Sequence, residues 1–531
     1  MRSALVEGAG WWRQAFEQAG LIDAYRVELL PPGAHPLDAR YNVVQWVHRS
    51  TRGWSYGGGV IDPRTGEILK GHVTLGSLRV RQDRLLFEGL TDAERSGKGG
   101  PDDPVQLALA RIRQLAAHEV GHALGLNHNF AGSTYGGRAS VMDYPAPLVG
   151  ITDKGELDFS AAYAVGMGEW DLHAIRYAYS QFPPGVEEPW ALDAILREGI
   201  GRGLLFITDE DARPLGSAHP RAHLWDNGGD PVEGLRHALA VRKIALGRFG
   251  EKNLAAGRPL ALLQEVLVPV YYHHRYQLEA ATKVVGGLDY TYAVRGDRQP
   301  AAKPADAAWQ RRALDALFAT LSPEVLDVPD PVIALLVPRP AGYEHNREMF
   351  NGWTGPTFDP LGAAAAAADM VAAGLLHPER AARLVDFHRR DSNLPGLEEV
   401  LDGLIKATSG AGPQGKGSAR HAELRRVAQW VVVRRMMDLS ANAQSSPGVR
   451  GRVDARLAAL DRTLGSGPAG DADEAAHRAF LAREIERHLG RQQQQAPAER
   501  AAPPEPPPGQ PIGMPDLEWA PETLGGCSRE L

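Results

Sequence analysis

The chain has 531 residues, enough for three or four domains at roughly 150 residues each. Charged residues (23%) and hydrophobic residues (43%) are in ordinary proportion for a protein that folds around apolar cores, and the net charge of −7 gives no electrostatic pull towards nucleic acid or acidic lipid. With Cys527 as the only cysteine, an intramolecular disulfide and any cysteine-based metal cluster are excluded, so a transition-metal site has to come from His, Asp and Glu, with 18 histidines to draw on.

The first predicted element is a helix over residues 4–19, where Leu5, Trp11, Trp12, Ala15, Phe16 and Ala19 recur at helical spacing and Gly20 supplies a stop. Extended segments follow at Tyr25 to Leu30, Tyr41 to His48 and Gly59 to Ile61. A turn signal, Asp62-Pro63-Arg64-Thr65-Gly66, leads into a further strand from Glu67 to Leu75. Together these predict a sheet of three or four strands before residue 80. Asp103-Pro104 then starts a helix, an N-cap acceptor followed by proline at the first helical position, whose apolar face runs on as far as Gly125.

Beyond residue 150 helical patterns dominate, at 169–180, 233–247, 260–283, 305–320, 362–390, 395–407, 419–440, 450–464 and 471–490. Leu361 to Leu376 is mostly alanine and carries Asp369, which suits a buried or interfacial helix. No stretch has the 18 or so apolar residues of a membrane span. Gly410 to Ser418 is a flexible connector, and the run from Gln492 through the prolines is a low-complexity tail.

Residues 118–128 carry the chemistry. His118 and His122 lie about 6 Å apart along the predicted helix and about 40° around it, so both imidazoles can reach one zinc ion. Glu119 sits beside the first ligand, where its carboxylate can take a proton from water without binding the metal. Gly125 can adopt positive φ, end the helix and turn the chain back, which returns His128 as a third ligand and leaves one position open. The complete pattern is H-E-x-x-H-x-x-G-x-x-H. Downstream, Ser140-Val141-Met142-Asp143-Tyr144 follows a glycine-containing loop.

With that second piece the chain resembles the metzincin metallopeptidases, and within them the large bacterial zinc-dependent Met-zincins. The resemblance covers roughly residues 1–240. It implies a methionine-bearing turn at Met142 beneath the metal, one catalytic Zn2+, and a Tyr144 that reaches the metal or steadies the transition-state oxyanion. It also implies a protein or peptide substrate and an extracytoplasmic location, although no signal peptide opens this chain. Metzincin domains usually begin with a strand, whereas here a helix comes at once, so at least that strand is expected to be missing.

The expected fold is α/β in the α+β sense. A metzincin-like catalytic domain (1–182) has a twisted mixed sheet with the zinc helix behind it. A connecting loop region (183–232) packs on it, and a helical region (233–409), C-terminal helices (419–491) and the tail (492–531) follow. The strand with His72, Val73 and Thr74 is the candidate for main-chain pairing with substrate. Phe206 to Asp211, with His219, His223 and Asp226, is a solvated loop bracing the catalytic domain against the helices, with a second metal or a substrate-facing loop as its alternative. Tyr271 to Arg275 is core or interface inside a continuous helix. Two rivals to a zinc endopeptidase stand beside it: an inert zinc-stabilised protein of the same fold, and a site in which Glu169 replaces His128 as third ligand.

Overall fold

The computed structural model describes residues 1–48, 55–409, 419–466 and 471–491; the connector at 410–418 and the tail from 492 lie outside the described residues. The fold mixes helices with three small sheets, which is the expected α+β class. The N-terminal helix is broken at Trp11 into α1 (Arg2–Gly10) and α2 (Trp12–Gln18). Trp12, Ala15 and Phe16 are buried while Leu5, Trp11 and Ala19 are half-buried, and the Trp12 indole Nε1 donates to the Ala117 carbonyl at 2.8 Å.

Three strands form the first sheet: β1 (Val43–Val47), β2 (Tyr56–Ile61) and β3 (Ile68–Gly76). Their order is β1-β3-β2, with β1 parallel and β2 antiparallel to β3. Tyr25 to Leu30 forms no strand. Leu29 and Leu30 stay exposed, while Tyr25 stacks on Phe16 and packs with Val27 on the cluster around the N-terminal helices rather than in a sheet. The expectation for β3 also changes. His72 pairs with Val43 and Gly58, Val73 with Val44 and Gly57, and Thr74 with Gln45 and Tyr56. A central strand paired on both sides has no free edge to offer a substrate.

α3 (Leu78–Leu90) follows directly and escapes sequence reading because it buries charge: Arg79 and Asp83, four residues apart, form an ion pair at 2.8 Å with both side chains buried. α4 (Pro104–Ala123) is capped by the Asp103 carboxylate, which accepts from Val105 N, and by Pro104 at its first turn. It lies against the sheet, and β2 touches it so closely that a Cβ on Gly57 would come 1.8 Å from the Glu119 carbonyl oxygen.

After α5 (Glu169–Tyr179), the stretch expected as connecting loop contains two helices, α6 (Glu188–Gly201) and the short α7 (Asp209–Ala212). The helical pattern 260–283 is also interrupted. α8 (Pro231–Arg248) is followed by α9 (Leu263–Tyr271) and α10 (Arg275–Val284), with Tyr272, His273 and His274 in a turn between the last two. Tyr271, Tyr272 and His274 are buried, so the core reading holds although the helix is not continuous. Two apolar clusters organise the described residues. One surrounds α4 and contains Trp12, Met142, Tyr144 and Trp225; the larger is built from α8, α9 and the helices beyond Ala307. The alanine-rich helix Pro360–Leu375 belongs to the larger core, with Ala363 to Ala368 buried. No single helix among the described residues is long and apolar enough to cross a membrane.

Candidate metal centre

Glycine shapes the end of α4. Gly125 has φ +89°, its N–H donates to His122 O, and Leu126 N–H reaches back to Gly121 O at 3.0 Å, a Schellman closure that turns the chain sharply. Gly121 is required for another reason: a Cβ there would meet Met142 Sδ at 2.2 Å and the Trp12 ring at 2.8 Å. The turn at 140–144 is held by Asp171 of α5, whose carboxylate accepts from Ser140 Oγ and Val141 N at 2.8 and 2.9 Å. Met142, fully buried, lies against α4 at Gly121, one residue before His122.

The three expected histidines converge. Their ligand atoms lie within 4.8 Å of one another, and they form the only such group of three among the described residues. Each ring also donates through Nδ1: His118 to Val141 O at 2.6 Å, His122 to Leu126 O at 2.8 Å and His128 to the Asp209 carboxylate at 2.9 Å. These acceptors carry no hydrogen to give back, so Nδ1 holds the proton and each neutral ring presents a bare lone pair at Nε2. His122 Nε2 nevertheless lies 3.1 Å from both His118 Nε2 and His128 Nε2. Lone pairs facing at that distance repel unless a cation lies between them. Nitrogens held about 2.0–2.1 Å from a tetrahedral zinc would be spaced by about 3.3 Å. Donor type, tautomer and spacing all fit Zn2+.

Electrostatics agree. Burial holds all three imidazoles below the ordinary histidine range, His122 at about 3, so they are neutral and able to ligate near pH 7. Glu119 is buried beside them. Burial pushes its carboxyl up to about 8 against the opposing pull of Arg111 and the Gly57 N–H, and a bound dication would bring it down again. The Tyr144 ring packs 4.9 Å from the His118 ring and 4.8 Å from that of His128, centroid to centroid.

Two residues of this site lay hidden in the sequence. Asp209 orients His128, and Arg213 bonds both the Asp209 carboxylate and the Tyr144 hydroxyl. They are placed by Asn129, whose side chain accepts from Ile207 N and donates to Leu205 O, while Phe130 N–H donates to Ile207 O. The only signal was an Asp–Arg pair four apart in a segment dense with acids. That segment is not a solvated loop: His219, His223 and Asp226 are buried and go to separate partners, Tyr290 O, Glu279 and Ser133. Glu169 is far from serving as a ligand, being exposed and bonded to Arg202 at 2.9 Å.

Fold and site thus define a protein of mixed α+β architecture whose three converging histidines could hold a metal ion. The family model described as Met-zincin matches residues 100–413, and the chain belongs to that family. No curated protein and no solved structure gives a significant match to it.

Proposed function

We propose that this protein is a zinc-dependent endopeptidase acting on protein or peptide substrates outside the cytoplasm. The observation that carries the reading is the convergence of three bare imidazole nitrogens, on His118, His122 and His128, beside the buried Glu119 carboxylate. A structural zinc needs no such base next to it, which disfavours the inert, zinc-stabilised alternative.

Bound there, zinc would supply Lewis acidity, polarising the scissile carbonyl and acidifying water in the site. Glu119 takes the proton of the attacking water and returns it to the departing amine. Tyr144 steadies the negative charge that grows on the carbonyl oxygen. Main-chain pairing with substrate moves from β3 to β2, whose outer edge is unpaired among the described residues and which rests on α4 at Glu119.

The test is cleavage of unfolded casein and of a peptide library by the full-length, zinc-loaded protein, with and without a chelator. Wild type should cut and lose activity on chelation, and Glu119→Ala should keep one zinc per chain while losing turnover by several orders of magnitude. Equal cleavage by the two proteins would remove Glu119 as the base, and none by either at full zinc loading would leave the inert alternative standing.

A further inference from the structure

The Tyr144 hydroxyl is half engaged. Its oxygen accepts from Arg213 Nη2 at 3.3 Å. A guanidinium has donors only, so this bond uses an oxygen lone pair and leaves the phenol hydrogen unspent. Among the described residues no acceptor is paired with that hydrogen, although the side chain is buried, with 6% of its surface accessible. A buried O–H without an acceptor is costly, so its partner is expected to be something that enters the site.

Arg213 is itself fixed from several directions. Its Nε donates to the Asp209 carboxylate, whose other oxygen accepts from His128 Nδ1 at 2.9 Å. Its guanidinium lies over the rings of Phe130 and Tyr144, 5.3 and 5.5 Å from their centroids. The residues His128, Asp209, Arg213 and Tyr144 form one connected run of bonds. It ties the third histidine of the metal centre to the tyrosine across an α7 segment supported by Lys283, whose Nζ donates to the Ala212 and Ala222 carbonyls.

We propose that Arg213 is a positioning residue: by occupying the Tyr144 oxygen it commits the phenol hydrogen to the substrate's carbonyl oxygen as negative charge builds there. By its second arm on Asp209 it sets that donor at a fixed place relative to His128. Its positive charge also polarises the phenol, making it a stronger donor at the moment of need. This assignment rests on the endopeptidase reading and adds to it a residue that need not touch the reacting atoms.

The experiment uses the full-length, zinc-loaded protein and a peptide whose scissile amide is replaced by a phosphinate, a stable tetrahedral anion. Affinity and zinc content are measured for wild type, Tyr144→Phe, Arg213→Met, Arg213→Lys and the double variant Tyr144→Phe with Arg213→Met. Steady-state kcat and KM on a cleavable peptide are measured beside them. Tyr144→Phe should weaken phosphinate binding about tenfold to a hundredfold, the worth of one hydrogen bond to a charged group. Arg213→Met should cost a similar factor, mainly in kcat, with zinc content unchanged. Added to Tyr144→Phe it should cost less than about twofold more, because it acts through a hydroxyl already removed. Arg213→Lys, which keeps the charge and one donor, should recover part of the loss and guards against misfolding of the methionine variant.

If the two losses multiply in the double variant, or if Arg213→Met and Arg213→Lys both bind phosphinate as wild type does, the assignment is wrong. Loss of zinc from the arginine variants also overturns it, since Arg213 would then be acting on His128 alone. A wild type that holds zinc but neither binds phosphinate nor cleaves peptide marks failure of the endopeptidase reading itself, and this inference goes with it.

Discussion

Removing the Asp209 carboxylate isolates how much of the metal centre depends on a residue that never touches the metal. Its Oδ2 accepts from His128 Nδ1 at 2.9 Å, which fixes the tautomer, aims Nε2 and raises the ring's basicity. Burial alone would push the Asp209 carboxyl up, yet the neighbouring His128 and Arg213 outweigh it and hold the group well below the usual carboxylate range. It is therefore an anion at any working pH. Losing such a partner typically costs 10- to 100-fold in metal affinity, about 1.4–2.7 kcal/mol. The Asp209 side chain is 31% accessible and that of His128 13%, so solvent screens part of the interaction. The lower half of that range, about 10- to 30-fold, is the expected loss for Asp209→Ala. Asp209→Asn keeps an acceptor without the charge and should fall between the variant and wild type. Competition against a chromophoric zinc chelator reads the affinity directly. Zinc affinity in Asp209→Ala within twofold of wild type would refute the orienting role and detach the 207–213 segment from the site.

His128→Ala should lower zinc affinity by at least a hundredfold while Glu169→Ala leaves it within twofold in the same competition assay, and the reverse ranking would install a glutamate as third ligand. Gly121→Ala places a methyl inside Met142 and Trp12, and should destabilise by about 1–3 kcal/mol despite the better helix propensity of alanine, read as a lower denaturation midpoint at unchanged slope. Burial pushes the Asp226 carboxyl up to about 7, and burial together with the neighbouring Asp226 raises that of Asp143. A carboxyl whose folded pKa lies above its unfolded one favours the fold in acid and loses that contribution as pH rises from about 4 through 7. Asp226→Asn should therefore be no more stable than wild type near pH 5 but gain on it progressively towards pH 8, by a few kcal/mol at most; a stability difference that is flat with pH would remove Asp226 from that account.

The histidine cluster was legible because its three members fall within eleven residues, where helical geometry and one glycine nearly dictate the arrangement. The capped start of α4 and the three strands could be read for the same reason, since their signals are local. What escaped was non-local or inverted. α3 hides its buried face behind Arg79 and Asp83, which neutralise each other only in three dimensions. Tyr25 to Leu30 has strand-forming residues but no strand to pair with. The position of β3 at the centre of its sheet follows from pairing order, which alternating hydrophobicity cannot reveal. Asp209 and Arg213 come to the site from 81 and 69 residues away in sequence, and no spacing rule announces a partner at that remove.

That remoteness has a temporal side. A chain emerging from the ribosome presents His118, His122 and His128 well before Asp209, and before Lys283, which anchors the segment bearing it. Until those later stretches arrive, His128 has no carboxylate to aim it. The finished geometry is thus withheld from the growing polypeptide, and the centre takes its final form only when the first helices of the helical half, through α10, have been made.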